Sequence, residues 1–147
     1  MANMAERVAI SVPASPIGLT LDLRMCWEKL LTRELGNEPV NVYTQPQEEL
    51  PDQPSDPNAW VRPEDVATLQ HVGGLVVACY NMRYIPLDKG VLRHVGLAVE
   101  ADKPVFLQAQ LEEVTAAGQE LGFDPRHITI IGNRLDMITT GLRGEQQ

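Results

Sequence analysis

Apolar residues along the chain form two kinds of pattern, short continuous runs and stripes at helical spacing. Residues 6–12 contain a short apolar run and are followed by a proline, which is typical of a buried strand. Between residues 20 and 35 the apolar positions recur every three or four residues, which predicts a helix, and Gly36 follows as a C-terminal stop. The apolar positions of this predicted helix are Leu23, Cys26, Trp27, Leu30, Leu31 and Leu35.

The same alternation continues along the chain and predicts the fold class. Further strands are predicted at 39–44, 73–80, 103–109 and 127–132, and further helices at 63–71, 89–101, 111–122 and 133–142. Pro63 opens the second helix, where Asp65 in the first turn suits the positive end of the helix dipole. Five strands alternating with helices predict an α/β fold, a three-layer α/β/α sandwich with a five-stranded parallel sheet. We expect it to be Rossmann-like, with the flavodoxin-like strand order.

One segment interrupts the regular pattern. Residues 45–62 are rich in proline, which excludes a regular helix or a central strand there. A loop of this length in a compact domain is usually functional or disordered, and we expect a flap over the site. Residues 143–147 are expected to be a frayed tail, and the whole range 1–147 to form a single domain.

Charge and cysteine usage exclude several classes of function. The formal net charge is -8 and the twelve Lys and Arg are scattered, so we expect no DNA or RNA partner. No apolar run approaches membrane length and no signal segment is recognisable, so we expect a cytoplasmic protein without a membrane partner. Cys26 and Cys79 lie in apolar patterns without metal-ligand spacing, so both are predicted to be buried, and neither a metal nor a cofactor is expected.

Ligand sites of parallel α/β sheets lie beyond the carboxyl ends of the strands, where the strand order reverses. The loop after the first strand lacks the glycine patterns of dinucleotide and P-loop sites, but it offers the hydroxyls of Ser11 and Ser15. A proline-stiffened turn is the alternative reading of that loop. After the third strand, Tyr80, Asn81 and Arg83 could stack a base or hold a phosphate, or could form an ordinary surface loop.

Three motifs stand in fixed register towards the middle of the chain. They are Asp88-Lys89-Gly90, Gly96-Leu97-Ala98 and Lys103-Pro104-Val105-Phe106. Their spacing resembles the Asp-x-Gly-x-x-x-Glu-x-Gly-x-Ala helix and the following Gly-Lys-Pro-Val-like strand start of the nucleoside 2-deoxyribosyltransferase superfamily, which includes the nucleotide N-glycosidases. The resemblance covers residues 58–107 in detail and the other residues by element order.

The resemblance implies a chemistry and shows where this chain departs from it. In that family the helix glutamate attacks the anomeric carbon and displaces the base, and a carboxylate six residues earlier supports the sugar hydroxyls or the proton transfer. Asp88 matches the second carboxylate, but His94 occupies the nucleophile position. A retaining glycosyl transfer needs an anionic nucleophile, and an imidazole cannot take its place.

Three readings of His94 therefore stand side by side. It is a plain helix-surface or half-buried histidine in a homologue that has lost the chemistry, a binding residue that donates to a phosphate or hydroxyl, or a general acid or base. Asp88 is either a helix cap or a ligand contact, and Asp65 is either a helix-start acid or part of the site. The resemblance further implies that Gly90 belongs to the site motif and that Asn133 completes a site in a homo-oligomer, which we expect to be a dimer.

These residues favour a nucleoside- or nucleotide-binding protein of the deoxyribosyltransferase-like superfamily, in which cleavage or transfer of the N-glycosidic bond is altered or lost. Asp88 and His94 are its candidate catalytic residues. The alternative is a non-catalytic interaction or assembly module that uses the same fold.

Overall fold

Strands and helices alternate along the described part of the chain up to the fourth strand, as the sequence predicts. The structure, a computed structural model, describes residues 7–12, 17–43, 61–78, 89–107, 127–131 and 136–142. The strands are β1 (Val8–Ser11), β2 (Val40–Asn41), β3 (Gly74–Val77), β4 (Val105–Leu107) and β5 (Ile128–Ile130). The helices are α1 (Ile17–Leu35), α2 (Pro63–His71), α3 (Lys89–Glu100) and α4 (Asp136–Leu142). The predicted helix at 111–122, the proline-rich loop up to residue 60 and the tail lie outside the described residues.

The five strands form one all-parallel sheet with the order β2-β1-β3-β4-β5. This order confirms the predicted Rossmann-like fold with flavodoxin-like connectivity. The chain runs from β1 to β2 on one side and then crosses to β3 on the other side of β1, so the strand order reverses around β1. Ser11, the last residue of β1, pairs with Val77, the last residue of β3. The carboxyl ends of these two strands therefore mark the edge where a ligand site is expected.

Strand residues divide between two hydrophobic clusters. Ala9 and Leu75 belong to one cluster, together with residues of α2 and α3, whereas Ile10 and Val76 belong to the other, together with residues of α1 and α4. Successive residues of a strand point to opposite faces of a sheet, so the helix pairs α2/α3 and α1/α4 share their cores with alternate strand positions. The two clusters therefore lie at alternate strand positions, and the three-layer arrangement stays a prediction.

Helix α1 differs from its prediction at one end and at one residue. It begins at Ile17, whereas the sequence predicts a loop through residue 19 and a helix from residue 20. Cys26, predicted to be buried, is exposed. At 100° per residue Cys26 lies roughly 140° around the helix from Leu31, which is fully buried. The buried face of the helix is therefore narrower than the sequence predicts. Cys79 lies outside the described residues.

Helices α2 and α3 end close to where the sequence predicts. Helix α2 has Pro63 in its first turn and runs to His71 as predicted. Helix α3 stops at a residue with positive φ, Asp102 at 60°. The amide of Lys103 donates to the carbonyl of Ala98 and the amide of Asp102 to that of Val99, each at 2.9 Å. This pair of bonds is the Schellman arrangement, which satisfies the last carbonyls of a helix.

A search of the helices in the described ranges for a membrane span finds none that is long and apolar enough.

Candidate functional site

The carboxyl end of β1 meets the middle of α3 through a buried hydrogen bond. Ser11 Oγ and His94 Nδ1 are 2.7 Å apart, and both residues have no exposed surface. The bond joins residues that are far apart in the chain because α3 packs on the sheet face towards which Ser11 points. Ser11 and His94, two of the predicted site residues, are therefore brought together at the edge where the strand order reverses.

Burial decides the charge of His94. It lowers the pKa of the imidazole from 6.5 to about 4, because the charged ring would lose its hydration. The Asp65 carboxylate opposes this shift, whereas the guanidinium groups of Arg24 and Arg62 add to it. His94 is therefore a neutral ring at physiological pH, with one nitrogen protonated and the other bare.

The second ring nitrogen of His94 has a different environment. Nε2 is buried and makes no hydrogen bond within the ranges that the structure describes. The backbone of Tyr43 raises the pKa of the ring, but by less than burial lowers it. A buried polar atom without a partner costs on the order of 1–3 kcal/mol, so a group that bonds to Nε2 would be favoured there.

Asp65 lies in the first turn of α2 with 1% of its surface exposed. Its carboxylate accepts hydrogen bonds from Arg62 Nε at 2.8 Å and from Arg62 Nη2 at 2.7 Å, which makes a bidentate ion pair. It also accepts a bond from the backbone amide of Tyr43 at 2.9 Å. The hydrogen bonds to Asp65 raise the pKa of Arg62. Asp65 therefore ties the start of α2 to the chain just beyond β2.

Arg24 of α1 reaches the same edge of the sheet from the other side. Its guanidinium donates to the carbonyls of Ile10 at 3.2 Å and Val42 at 3.0 Å, and to Asn41 Oδ1 at 2.8 Å. Asn41 in turn donates to Glu28 Oε2 at 2.7 Å. Burial lowers the pKa of Arg24, and these acceptors stabilise its charge in the interior. Arg24 thus holds the carboxyl ends of β1 and β2 together.

Tyr43 joins the two arginines. The Cζ atom of Arg24 lies 4.3 Å from the centre of the tyrosine ring, and that of Arg62 lies 4.5 Å from it. Both distances are within the range of cation–π attraction. The aromatic side chain is thereby held by both guanidinium groups, although 40% of Tyr43 remains exposed.

The remaining predicted site residues divide into two groups. Gly90 is buried in the first turn of α3, about one turn before His94. The others lie outside the described residues, and they are Ser15, Tyr80, Asn81, Arg83, Asp88 and Asn133.

Sequence reasoning missed Arg24, Tyr43 and Arg62. A signal existed for Arg24, because it lies three residues before Trp27 and seven before Leu31 on the buried face of α1. A lone charge within an apolar stripe indicates a buried charge that needs partners. Arg62 and Tyr43 carry no such signal, because their pairing depends on how α2 packs beside β2.

The described residues form a cavity beside α4 but no cluster of metal ligands. The described residues contain no group of three or more His, Cys, Asp or Glu that could hold a metal ion. A cavity of about 370 Å³ lies beside α4, away from His94. It is lined by Phe106, Thr129, Asp136, Met137, Thr140 and Gly141.

The chain was compared with known protein families, with curated proteins and with solved structures, and none of the three comparisons finds a match. Function is therefore inferred from the fold and from the contacts of Ser11, His94 and Asp65.

Proposed function

We propose that this protein binds a nucleoside or nucleotide at the carboxyl edge of β1 and β3, and that its glycosidic-bond chemistry is altered or lost relative to the deoxyribosyltransferase-like superfamily it resembles. The observation that carries the proposal is His94. Its ring is buried at the sheet edge typical of ligand sites, bonded to Ser11 on one nitrogen and unpartnered on the other among the described residues.

The neutral ring supports the loss of covalent chemistry. A nucleophile that displaces a base must be an anion close to the sugar, as carboxylates are in retaining glycosidases. His94 is uncharged at physiological pH because burial lowers its pKa to about 4. A covalent glycosyl-enzyme ester cannot form on an imidazole, so any remaining cleavage would use His94 only to move a proton.

The complete burial of the pair favours a second candidate. Ser11 and His94 both have no exposed surface, which is also what an internal structural bond requires. In that case the protein is a non-catalytic interaction or assembly module with a polar bond in its core.

A thermal-shift panel combined with product analysis separates these functions. The panel contains nucleosides, their mono- and diphosphates, and free bases, each well above the micromolar range. A ligand at one hundred times its Kd stabilises the folded state by about 2.7 kcal/mol. A raised Tm without release of base supports binding with lost chemistry, and turnover supports an altered enzyme. If no member of the panel raises Tm or is consumed, the nucleoside proposal is wrong and the assembly module remains.

Replacing His94 by glutamate tests the resemblance itself. His94→Glu restores the carboxylate at the nucleophile position, so we expect release of free base and a glycosylated protein mass when a deoxynucleoside is added. The matched control is His71→Glu, because His71 is an exposed histidine on α2. A folded His94→Glu protein that yields neither product with any nucleoside contradicts the alignment of His94 with the nucleophile.

A further inference from the structure

Tyr43 follows β2 at the same edge of the sheet as the end of β1. Asn41, the last residue of β2, pairs with Ile10, and the amide of Val42 donates to the carbonyl of Ile10 at 3.1 Å. Tyr43 therefore continues the strand next to the one that ends in Ser11. Neighbouring strands lie about 4.8 Å apart. A ligand at the end of β1 reaches Tyr43 by extending across one strand spacing.

Tyr43 combines an exposed aromatic surface with a fixed position. Among the residues that the structure describes, Met25 and Tyr43 are the large apolar side chains that remain exposed, and Met25 lies midway along α1. The backbone amide of Tyr43 is bonded to Asp65, and two guanidinium groups lie within 4.5 Å of its ring centre. An aromatic side chain that is already held in place loses little conformational freedom when a ligand packs on it.

Arg62 adds a second planar group to this surface. Its bidentate bond to Asp65 fixes the guanidinium, while 37% of its side chain remains exposed. Asp65 is itself buried, so a buried carboxylate holds an arginine in one orientation at the surface. Guanidinium planes stack on aromatic rings, including nucleic-acid bases. The exposed parts of Tyr43 and Arg62 therefore suit a flat ring.

The charges around this surface favour an uncharged ring over an anion. Arg62 is opposed by the Asp65 carboxylate and, at 3.6 Å, by that of Glu64. Arg24 is joined to the Glu28 carboxylate through one side-chain amide. The carboxylates therefore outweigh the two guanidinium groups, so a phosphate would find no excess of positive charge here. The guanidinium groups still attract the electron-rich face of an aromatic ring.

We propose that Tyr43 and Arg62 form a stacking surface for an uncharged purine base, and that Asp65 is the residue that positions both. The inference rests on the proposed function and adds where the base of the nucleoside lies. A purine covers more of such a surface than a pyrimidine and buries more apolar area, so purines are preferred. The sugar then lies towards the end of β1.

Titration of the wild-type protein, followed on the ring NMR signals of Tyr43, tests the proposal. The probes are adenosine, uridine and inorganic phosphate, each added separately. We expect adenosine to shift the Tyr43 signals in a saturable manner with a lower Kd than uridine, and phosphate to leave them unchanged. A Kd for uridine equal to or below that for adenosine overturns the purine preference. A shift with phosphate alone overturns the uncharged ring.

Substitutions of the two stacking residues test the surface itself. Arg62→Lys keeps the charge but removes the planar group, so we expect the affinity for adenosine to fall about tenfold. Tyr43→Leu should lose a similar factor, whereas Tyr43→Phe keeps the ring and should bind within about twofold of wild type. Arg33→Lys, at an exposed arginine of α1, is the matched control and should change nothing. Folded Arg62→Lys and Tyr43→Leu proteins that bind adenosine as tightly as wild type overturn the stacking surface.

The His94 ring signals in the same titration separate this inference from the proposed function. Adenosine that shifts the signals of both Tyr43 and His94 supports both. A shift at His94 alone overturns the stacking surface and leaves the proposed function standing. A shift at Tyr43 alone supports the stacking surface and contradicts a nucleoside site at the ends of β1 and β3. If adenosine shifts neither signal, the stacking surface and the nucleoside site are both wrong.

Discussion

At the scale of single residues, His94 combines burial with a polar function that its sequence neighbours do not share. It lies within the apolar face of α3, between Val91 and Val95, and is as fully buried as they are. Burial holds the ring neutral, while Ser11 orients it by a single hydrogen bond. The cost of keeping the ring uncharged should be visible in the pH dependence of stability.

We expect the free energy of unfolding to fall as the pH is lowered from 6.5 to about 4 because of His94. In the folded protein the ring stays neutral, so the unfolded chain binds one more proton between these pH values. Lowering the pH therefore stabilises the unfolded state relative to the folded state. The contribution of the neutral His94 ring to the free energy of unfolding is fully present above pH 6.5. It is lost as the pH falls towards the pKa of His94 in the folded protein. One proton corresponds to a slope of about 1.4 kcal/mol per pH unit.

Urea unfolding at pH 7, 6 and 5 measures this slope. His94→Gln cannot take up the proton and should flatten the slope by about 1 kcal/mol per pH unit. His71→Gln is the control at an exposed histidine. Its slope of unfolding free energy against pH should still differ from that of His94→Gln, as the wild-type slope does. Equal slopes in wild type and His94→Gln would show that the ring is not held neutral by the fold.

Residue-scale chemistry was only partly predictable. The sequence pointed to Ser11, Asp65 and His94 as site residues, and the structure brings Ser11 and His94 into contact. The sequence could not predict that Asp65 is bonded to Arg62 and Tyr43, because that contact depends on the position of α2 beside the end of β2. One reading of the sequence made His94 a helix-surface or half-buried histidine, and that was wrong, because the ring lies fully buried on the apolar face of α3 with Val91 and Val95.

At the scale of elements, the C-terminus of α3 contains an avoidable strain. Asp102 adopts φ 60°, a conformation that costs an L-residue roughly 1 kcal/mol relative to glycine. Asp102→Gly should therefore raise the free energy of unfolding by about 0.5–1 kcal/mol, measured by urea titration.

The control for this prediction is Asp102→Ala. Alanine also removes the carboxylate that contacts His127 at 3.2 Å, but it keeps the Cβ atom and so keeps the strain. A gain in Asp102→Ala equal to that in Asp102→Gly would assign the effect to the lost carboxylate and not to the backbone.

Helix α4 packs on the sheet through a glycine. A Cβ atom at Gly141 would lie 2.5 Å from Phe106 Cε1 and 2.6 Å from Phe106 Cζ, which is too close for either to remain in place. Phe106 is buried in the hydrophobic cluster shared with α1 and α4, so a shift of its ring would disturb that packing. We expect Gly141→Ala to lower the free energy of unfolding by about 1–2 kcal/mol, despite the better helix propensity of alanine.

Thr140→Ala is the matched substitution one residue earlier, on the exposed side of α4. It should leave stability within about 0.5 kcal/mol of wild type or raise it slightly. If Gly141→Ala were as stable as Thr140→Ala by urea titration, the close packing of α4 on Phe106 would be contradicted.

The type and order of the described elements followed from their patterns, but their exact limits did not. Proline at the start of α2 and glycine after α1 are strong local signals, and both elements end as predicted. The start of α1 was missed because residues 17–19 follow two prolines and read as part of the loop after the first strand. In the structure they form the first turn of the helix. The prediction that Cys26 is buried was wrong, because spacing alone does not decide whether an apolar residue at the edge of the apolar face of a helix is buried or exposed.

At the scale of the whole molecule, the topology gathers residues from four elements at one edge. Parallel strands end on the same side, and the reversal around β1 leaves room there. Ser11, His94, Asp65 and Arg24 come from β1, α3, α2 and α1 respectively. The fold class and the edge were predictable from the order of strands and helices, whereas the contacts across the edge required the packing of helices against the sheet.

The most direct test of the account is a titration of wild-type protein with a panel of nucleosides and nucleotides, followed on the His94 ring signals by NMR and completed by the mass of the recovered protein. We predict that at least one member shifts a ring-nitrogen signal of His94 in a saturable manner, while the protein mass stays unchanged. A panel in which no member shifts that signal, or a recovered protein that carries a glycosyl group, would contradict the account.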